Sequence, residues 1–66
     1  MYIELTDYYT QRPILINLRK FRKLQSNGTN AILYLGSSDA VVVNESYKTV
    51  AAKIKEMQPG PLVLKI

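Results

Sequence analysis

The chain has 66 residues, 47% of them apolar, and a formal net charge of +4. That is one domain, too apolar for disorder, and small enough to bury only about 60% of its unfolded surface. It holds neither cysteine nor histidine, which excludes disulfides, thiolate metal sites and the commonest imidazole ligand; no metal and no cofactor is expected, and self-association is the expected support.

In chain order, Met1 to Leu5 alternates, with Met1, Ile3 and Leu5 on one face and Tyr2 and Glu4 on the other, which predicts a strand over 2–5. Thr6 to Arg12 is polar and aromatic and forms the first turn. Within it one of Tyr8 and Tyr9 is expected on the core edge and the other in solvent. A base-stacking or partner-binding role for the pair is the alternative. Pro13 to Leu18 is the second strand, with Pro13 at a start or edge because it has no N–H to give a ladder. Arg19 to Lys23, RKFRK, places four cations around Phe21. Alternation predicts a third strand over 21–26 with a kink near Arg19, whereas the spacing of Leu18, Phe21 and Leu24 also fits a helical turn or a bulge. Asn27-Gly28 predicts a tight type I′ hairpin turn, or a loop widened by the flanking Thr29 and Asn30, into a strand over 30–35. That fourth strand is apolar on both faces and is expected in the middle of a sheet or against a partner. Gly36 to Asp39 is read as a plain turn.

Ala40 to Val43 is β-branched and predicts a strand that passes straight into a helix over 45–57. Asn44 is the first candidate N-cap and Ser46 the second. Tyr47, Val50, Ala51, Ile54 and Met57 form the apolar stripe of that helix. Gln58-Pro59-Gly60-Pro61 ends it. Leu62 to Ile66 alternates again and predicts a C-terminal strand that either returns to the sheet or pairs with another chain. Pairing with another copy is preferred, and Leu62, Val63, Leu64, Ile66 and Tyr34 are the expected contact with another copy or with a different partner protein. The expected architecture is α+β: an antiparallel meander of five strands, one amphipathic helix on a face or at the open end, and a short last strand.

Leu15-Ile16-Asn17, Ala31 to Leu35, and Val42-Val43-Asn44-Glu45-Ser46 followed by a helix with Val50 and Ile54 resemble the FlbD-like family over about residues 2–57. These are small bacterial proteins linked to flagellar operons, with a similar pattern in tailed phages. The resemblance implies a small regulatory protein without catalytic residues. RKFRK and the PGPLVLKI end depart from the flagellar members. The LytTR domains and the carbon storage regulator family share only the strand-then-helix outline.

Catalysis is not expected. The serines sit in turns or at the helix start without a histidine base, and Glu45 is explained by the dipole of the helix. The favoured function is protein binding, as an adaptor, inhibitor or oligomeric accessory protein of a bacterial or phage-infected cell. The alternative is nucleic-acid binding through Arg19, Lys20, Phe21, Arg22 and Lys23, where a basic strand tracks phosphates and Phe21 stacks a base. A charged edge strand that resists aggregation explains the same cations without a ligand. The apolar runs are far shorter than a membrane span, and no basic start followed by an apolar stretch marks a secretory signal. A cytoplasmic protein with no membrane partner is therefore expected.

Overall fold

A computed structural model describes residues 1–57; the expected strand over 62–66 lies outside them. The described chain is α+β, with five strands, a single 3₁₀ turn and one helix. Strands β1 (Tyr2–Thr6) and β2 (Pro13–Asn17) form an antiparallel hairpin, and β3 (Lys23–Asn27), β4 (Asn30–Tyr34) and β5 (Ala40–Val43) form a three-stranded antiparallel sheet. Helix α1 (Tyr47–Met57) packs on β1, β3 and β4.

The expected single meander is not what forms. β2 does not pair with β3, because Leu18–Lys20 winds into the 3₁₀ turn, with the Asn17 side chain accepting from Arg19 N–H at 3.0 Å. The spacing of Leu18, Phe21 and Leu24 thus belongs to a turn, and the strand starts at Lys23 rather than Phe21. The two sheets meet through the end of β1. Asp7 bridges Val43, Tyr8 N–H donates to Val42 O at 2.9 Å, and Asn44 N–H donates to Thr6 O at 2.8 Å. The strand neighbours therefore run β2, β1, β5, β4, β3, with the last part of β1 pairing on both sides. β4 is the middle strand of its sheet, as its two apolar faces predict.

One continuous core lies between the sheets and the helix: Ile3, Leu5, Ile16, Ala31, Leu33, Val43, Val50 and Ile54. Period-two alternation supplies the strand members and one helical face supplies the last two. Tyr47 and Met57, at the ends of the helical stripe, are exposed. The N-cap is Ser46, not Asn44: the Ser46 hydroxyl accepts from Thr49 N–H at 3.2 Å, while Asn44 is still in the ladder to β1. The helix accordingly starts at Tyr47, two residues later than the sequence suggests.

The β3–β4 turn also differs from the expected form. Asn27 and Asn30 pair across it, which makes Gly28 and Thr29 the central residues. Only Gly28 has a positive φ, +70°, the pattern of type II′ rather than I′. Asn27 instead donates its side-chain amide to Asn30 Oδ1 at 2.7 Å.

Candidate functional site

Among the described residues, the β1–β2 hairpin carries most of the large exposed apolar side chains. Seven large apolar side chains are exposed among the described residues, and Met1, Tyr2, Tyr8, Tyr9 and Leu15 belong to this hairpin. Their placement follows from register. Ile3 faces Ile16 and Leu5 faces Ile14 on the core side, so Tyr2, Glu4, Pro13, Leu15 and Asn17 are turned outward. Tyr2 and Leu15 are diagonal neighbours on that outer face, 55% and 66% exposed.

β2 is also an edge. Leu18 N–H donates to Met1 O and Asp7 N–H to Arg12 O, both at 2.9 Å. In this register the ladder bonds therefore join odd residues of β1 to even residues of β2, and the N–H and C=O of Leu15 point away from β1. Pro13 sits at such an outward position, where its missing N–H breaks no ladder bond.

The hairpin tip is tightly built. Asp7 Oδ2 accepts from Thr10 N–H at 2.8 Å, Asp7 O from Gln11 N–H at 2.8 Å, and Gln11 Nε2 donates to Tyr8 O at 2.7 Å. Gln11 takes a left-handed φ of 60° to close the turn. The Tyr8 and Tyr9 rings meet edge to face, 5.3 Å between centroids, and Tyr9 is 76% exposed. Tyr8 is the less exposed of the two, yet it does not join the core.

The basic residues lie elsewhere. Arg19 and Lys20 are exposed on the 3₁₀ turn, and Arg22 and Lys23 are exposed where β3 begins. They do not alternate along one strand, so the basic strand expected of RKFRK is not formed. Phe21 is half-buried and packs against the core cluster. The ring that accompanies the cations is that of Tyr34: Lys23 Nζ lies 4.8 Å from its centroid, and its hydroxyl donates to Gln25 Oε1 at 3.3 Å. Arg22, Lys23, Tyr34, Gly36 and Ser37 line an open hollow of about 360 Å³. Of the residues expected to contact another copy, Tyr34 is therefore at this hollow, and Leu62, Val63, Leu64 and Ile66 lie outside the described residues.

Leu15 is not among the candidate residues that sequence reasoning yields, although its signal is present in PILIN: alternation that buries Ile16 must turn Leu15 outward. Among the described residues no polar or charged side chain is buried, no cluster of three potential metal ligands exists, and no helix is long and apolar enough to cross a membrane. No family model, curated protein or solved structure matches the chain.

Proposed function

We propose that this is a small non-enzymatic binding protein that works through a protein–protein interface on the outer face of the β1–β2 hairpin. The observation that carries the reading is the concentration of exposed apolar side chains on this hairpin, at Tyr2 and Leu15 on its outer face and at the Tyr8–Tyr9 pair on its tip. The opposite edge supplies the contrast. β3 offers solvent Lys23, Gln25, Ser26 and Asn27, the charged and polar dressing that keeps an edge soluble. β2 offers Leu15 and Asn17, with only Pro13 and a length of five residues to discourage pairing. Strand addition to β2 supplies backbone bonds, and Leu15 and Tyr2 supply the apolar contact. The partner is a second copy or another protein of a bacterial or phage-infected cell, consistent with a regulatory role of the FlbD-like kind. A Leu15→Lys variant tests it. The fold should persist and partner capture should disappear; capture that survives the change sinks the reading.

The hollow beside Tyr34 favours a second reading, nucleic-acid binding. Arg22 and Lys23 line it, Arg19 and Lys20 stand on the preceding turn, and Tyr34 offers a ring for a base. Reversing the charge of all four should abolish any shift of DNA or RNA at low salt, since each phosphate contact contributes about 0.9 to the salt slope on duplex DNA. An unmodified protein that shifts neither DNA nor RNA at low salt ends this alternative.

A further inference from the structure

Strand β2 is paired with β1 along one side, and among the described residues no strand lies along the other. The bonds from Leu18 N–H to Met1 O and from Asp7 N–H to Arg12 O fix which groups face that open side. They are the N–H and C=O of Leu15 and Asn17, and the C=O of Pro13. Pro13 has no N–H to offer. Asn17 is the N-cap of the 3₁₀ turn, so its C=O is already engaged by the first bond of that turn. The edge therefore lacks a donor at one end and holds an occupied acceptor at the other, on residues placed symmetrically about Leu15.

That symmetry selects an occupant. An antiparallel copy of β2, related by a two-fold axis at Leu15, sets Leu15 against Leu15 of the second copy and Pro13 against Asn17. The Leu15 pair exchanges two backbone bonds, and Asn17 N–H donates to Pro13 O on each flank. The bond that Pro13 cannot give is the one that Asn17 O does not need. Moving the axis by one residue loses this match. Centred on Ile14, the C=O of Leu15 faces Pro13 and has no donor. Centred on Ile16, the N–H of Leu15 must share an Asn17 C=O that the 3₁₀ turn already uses. Side chains agree with the Leu15 register. On the outer face the two exposed Leu15 side chains lie next to each other. On the core side half-buried Ile14 meets Ile16 of the second copy as a non-hydrogen-bonded pair, the closer kind. None of the residues Pro13–Asn17 is charged, so the two-fold sets no like charges against each other in the ladder. A strand of five residues with its flanking side chains covers less than the roughly 800 Å² per partner of a standard interface, so the pairing is weak, with a Kd on the order of micromolar or above.

We propose that this protein forms a reversible two-fold dimer by antiparallel pairing of β2 with β2 of a second copy, in the register that sets Leu15 against Leu15. The inference rests on the hairpin-interface reading and names its partner as another copy of this chain.

Sedimentation equilibrium of the full chain and of its Leu15→Lys variant tests it. The mass of the parent should rise from one copy toward two across the micromolar-to-millimolar range. Leu15→Lys, which sets two like charges against each other in the ladder, should stay at one copy with an unchanged circular dichroism spectrum. A parent that stays single at millimolar concentration, or a dimer that persists in Leu15→Lys, overturns the proposal. The register has its own reading. The chain has no cysteine, so a lone introduced one reports on its counterpart in the second copy. The Cα atoms of a hydrogen-bonded antiparallel pair lie about 5.5 Å apart, within disulfide range. Glu4 lies beside Leu15 on β1, so the two Glu4 positions are three strand spacings apart, about 14 Å. Under a mild oxidant Leu15→Cys should therefore form a linked dimer at least about ten times faster than Glu4→Cys. Equal rates overturn the proposal. A parent that stays single, while Leu15→Lys still abolishes capture of a different protein, overturns the second copy as partner and leaves the hairpin interface standing.

Discussion

Gln11 is the only described non-glycine residue with a left-handed φ. That conformation costs an L-residue about 1 kcal/mol or more, and a β-branched residue more still. Nothing but turn closure requires glutamine there, apart from the exposed bond from Nε2 to Tyr8 O. Gln11→Gly is therefore expected to match or exceed the parent in thermal melting, whereas Gln11→Val should lose about 1–2 kcal/mol. Glu45 makes the opposite case. Its carboxylate takes both Thr6 N–H, at 2.9 Å, and Thr6 Oγ–H, at 3.0 Å, 39 residues away in sequence. It stands in for a ladder partner where β5 has ended. Glu45→Ala should cost about 1–2 kcal/mol in denaturant unfolding, and Glu45→Gln less, since its amide oxygen still accepts the Thr6 N–H. The helix dipole accounts for a glutamate at this position from sequence, but the bond to Thr6 depends on a long-range meeting that no local pattern reveals.

Most of the elements were legible and their mutual arrangement was not. Alternation in Tyr2–Thr6, Pro13–Asn17 and Asn30–Tyr34, and the branched run Ala40–Val43, locate four strands to within a residue or two. Periodicity puts Val50 and Ile54 on the buried face of the helix, where both are found. The error at Arg19–Arg22 arose because a spacing of three satisfies both a short turn and a kinked strand. The missed β1–β5 pairing arose because it is made by backbone groups of Thr6, Tyr8, Val42 and Asn44, which leave no mark on side-chain pattern. Helix docking is the element-scale interaction with most at stake. Val50 is fully buried, and Val50→Ala should cost about 2 kcal/mol through lost transfer energy and the cavity left behind. In a domain this small that lowers the melting temperature by roughly 8–16 °C. A shift below about 2 °C would mean that the helix contributes little to the fold.

At the scale of the whole molecule, the two ends of the strand array formed by the described residues are dressed differently. One edge, β3, is polar and lies near the cationic turn; the other, β2, is apolar and carries Leu15 at an outward position. The basic cluster is conspicuous in the sequence as RKFRK, yet it splits into a 3₁₀ turn and a strand start, with Phe21 committed to the core. The apolar hairpin is quieter in the sequence, because tyrosines and a lone leucine read as ordinary alternation until register shows which face they share. A protein of 66 residues with a marginal core gains from covering such a face, and binding a partner stabilises it by mass action. The most direct measurement is capture of a partner from nuclease-treated bacterial lysate by the parent chain and by Leu15→Lys, each washed at low salt and at about 0.5 M salt, where charge contacts between exposed groups are screened within a few ångström. The account predicts a partner that stays on the parent after nuclease and high salt and is lost from Leu15→Lys. Retention that vanishes with nuclease or high salt, and is indifferent to Leu15, would contradict it.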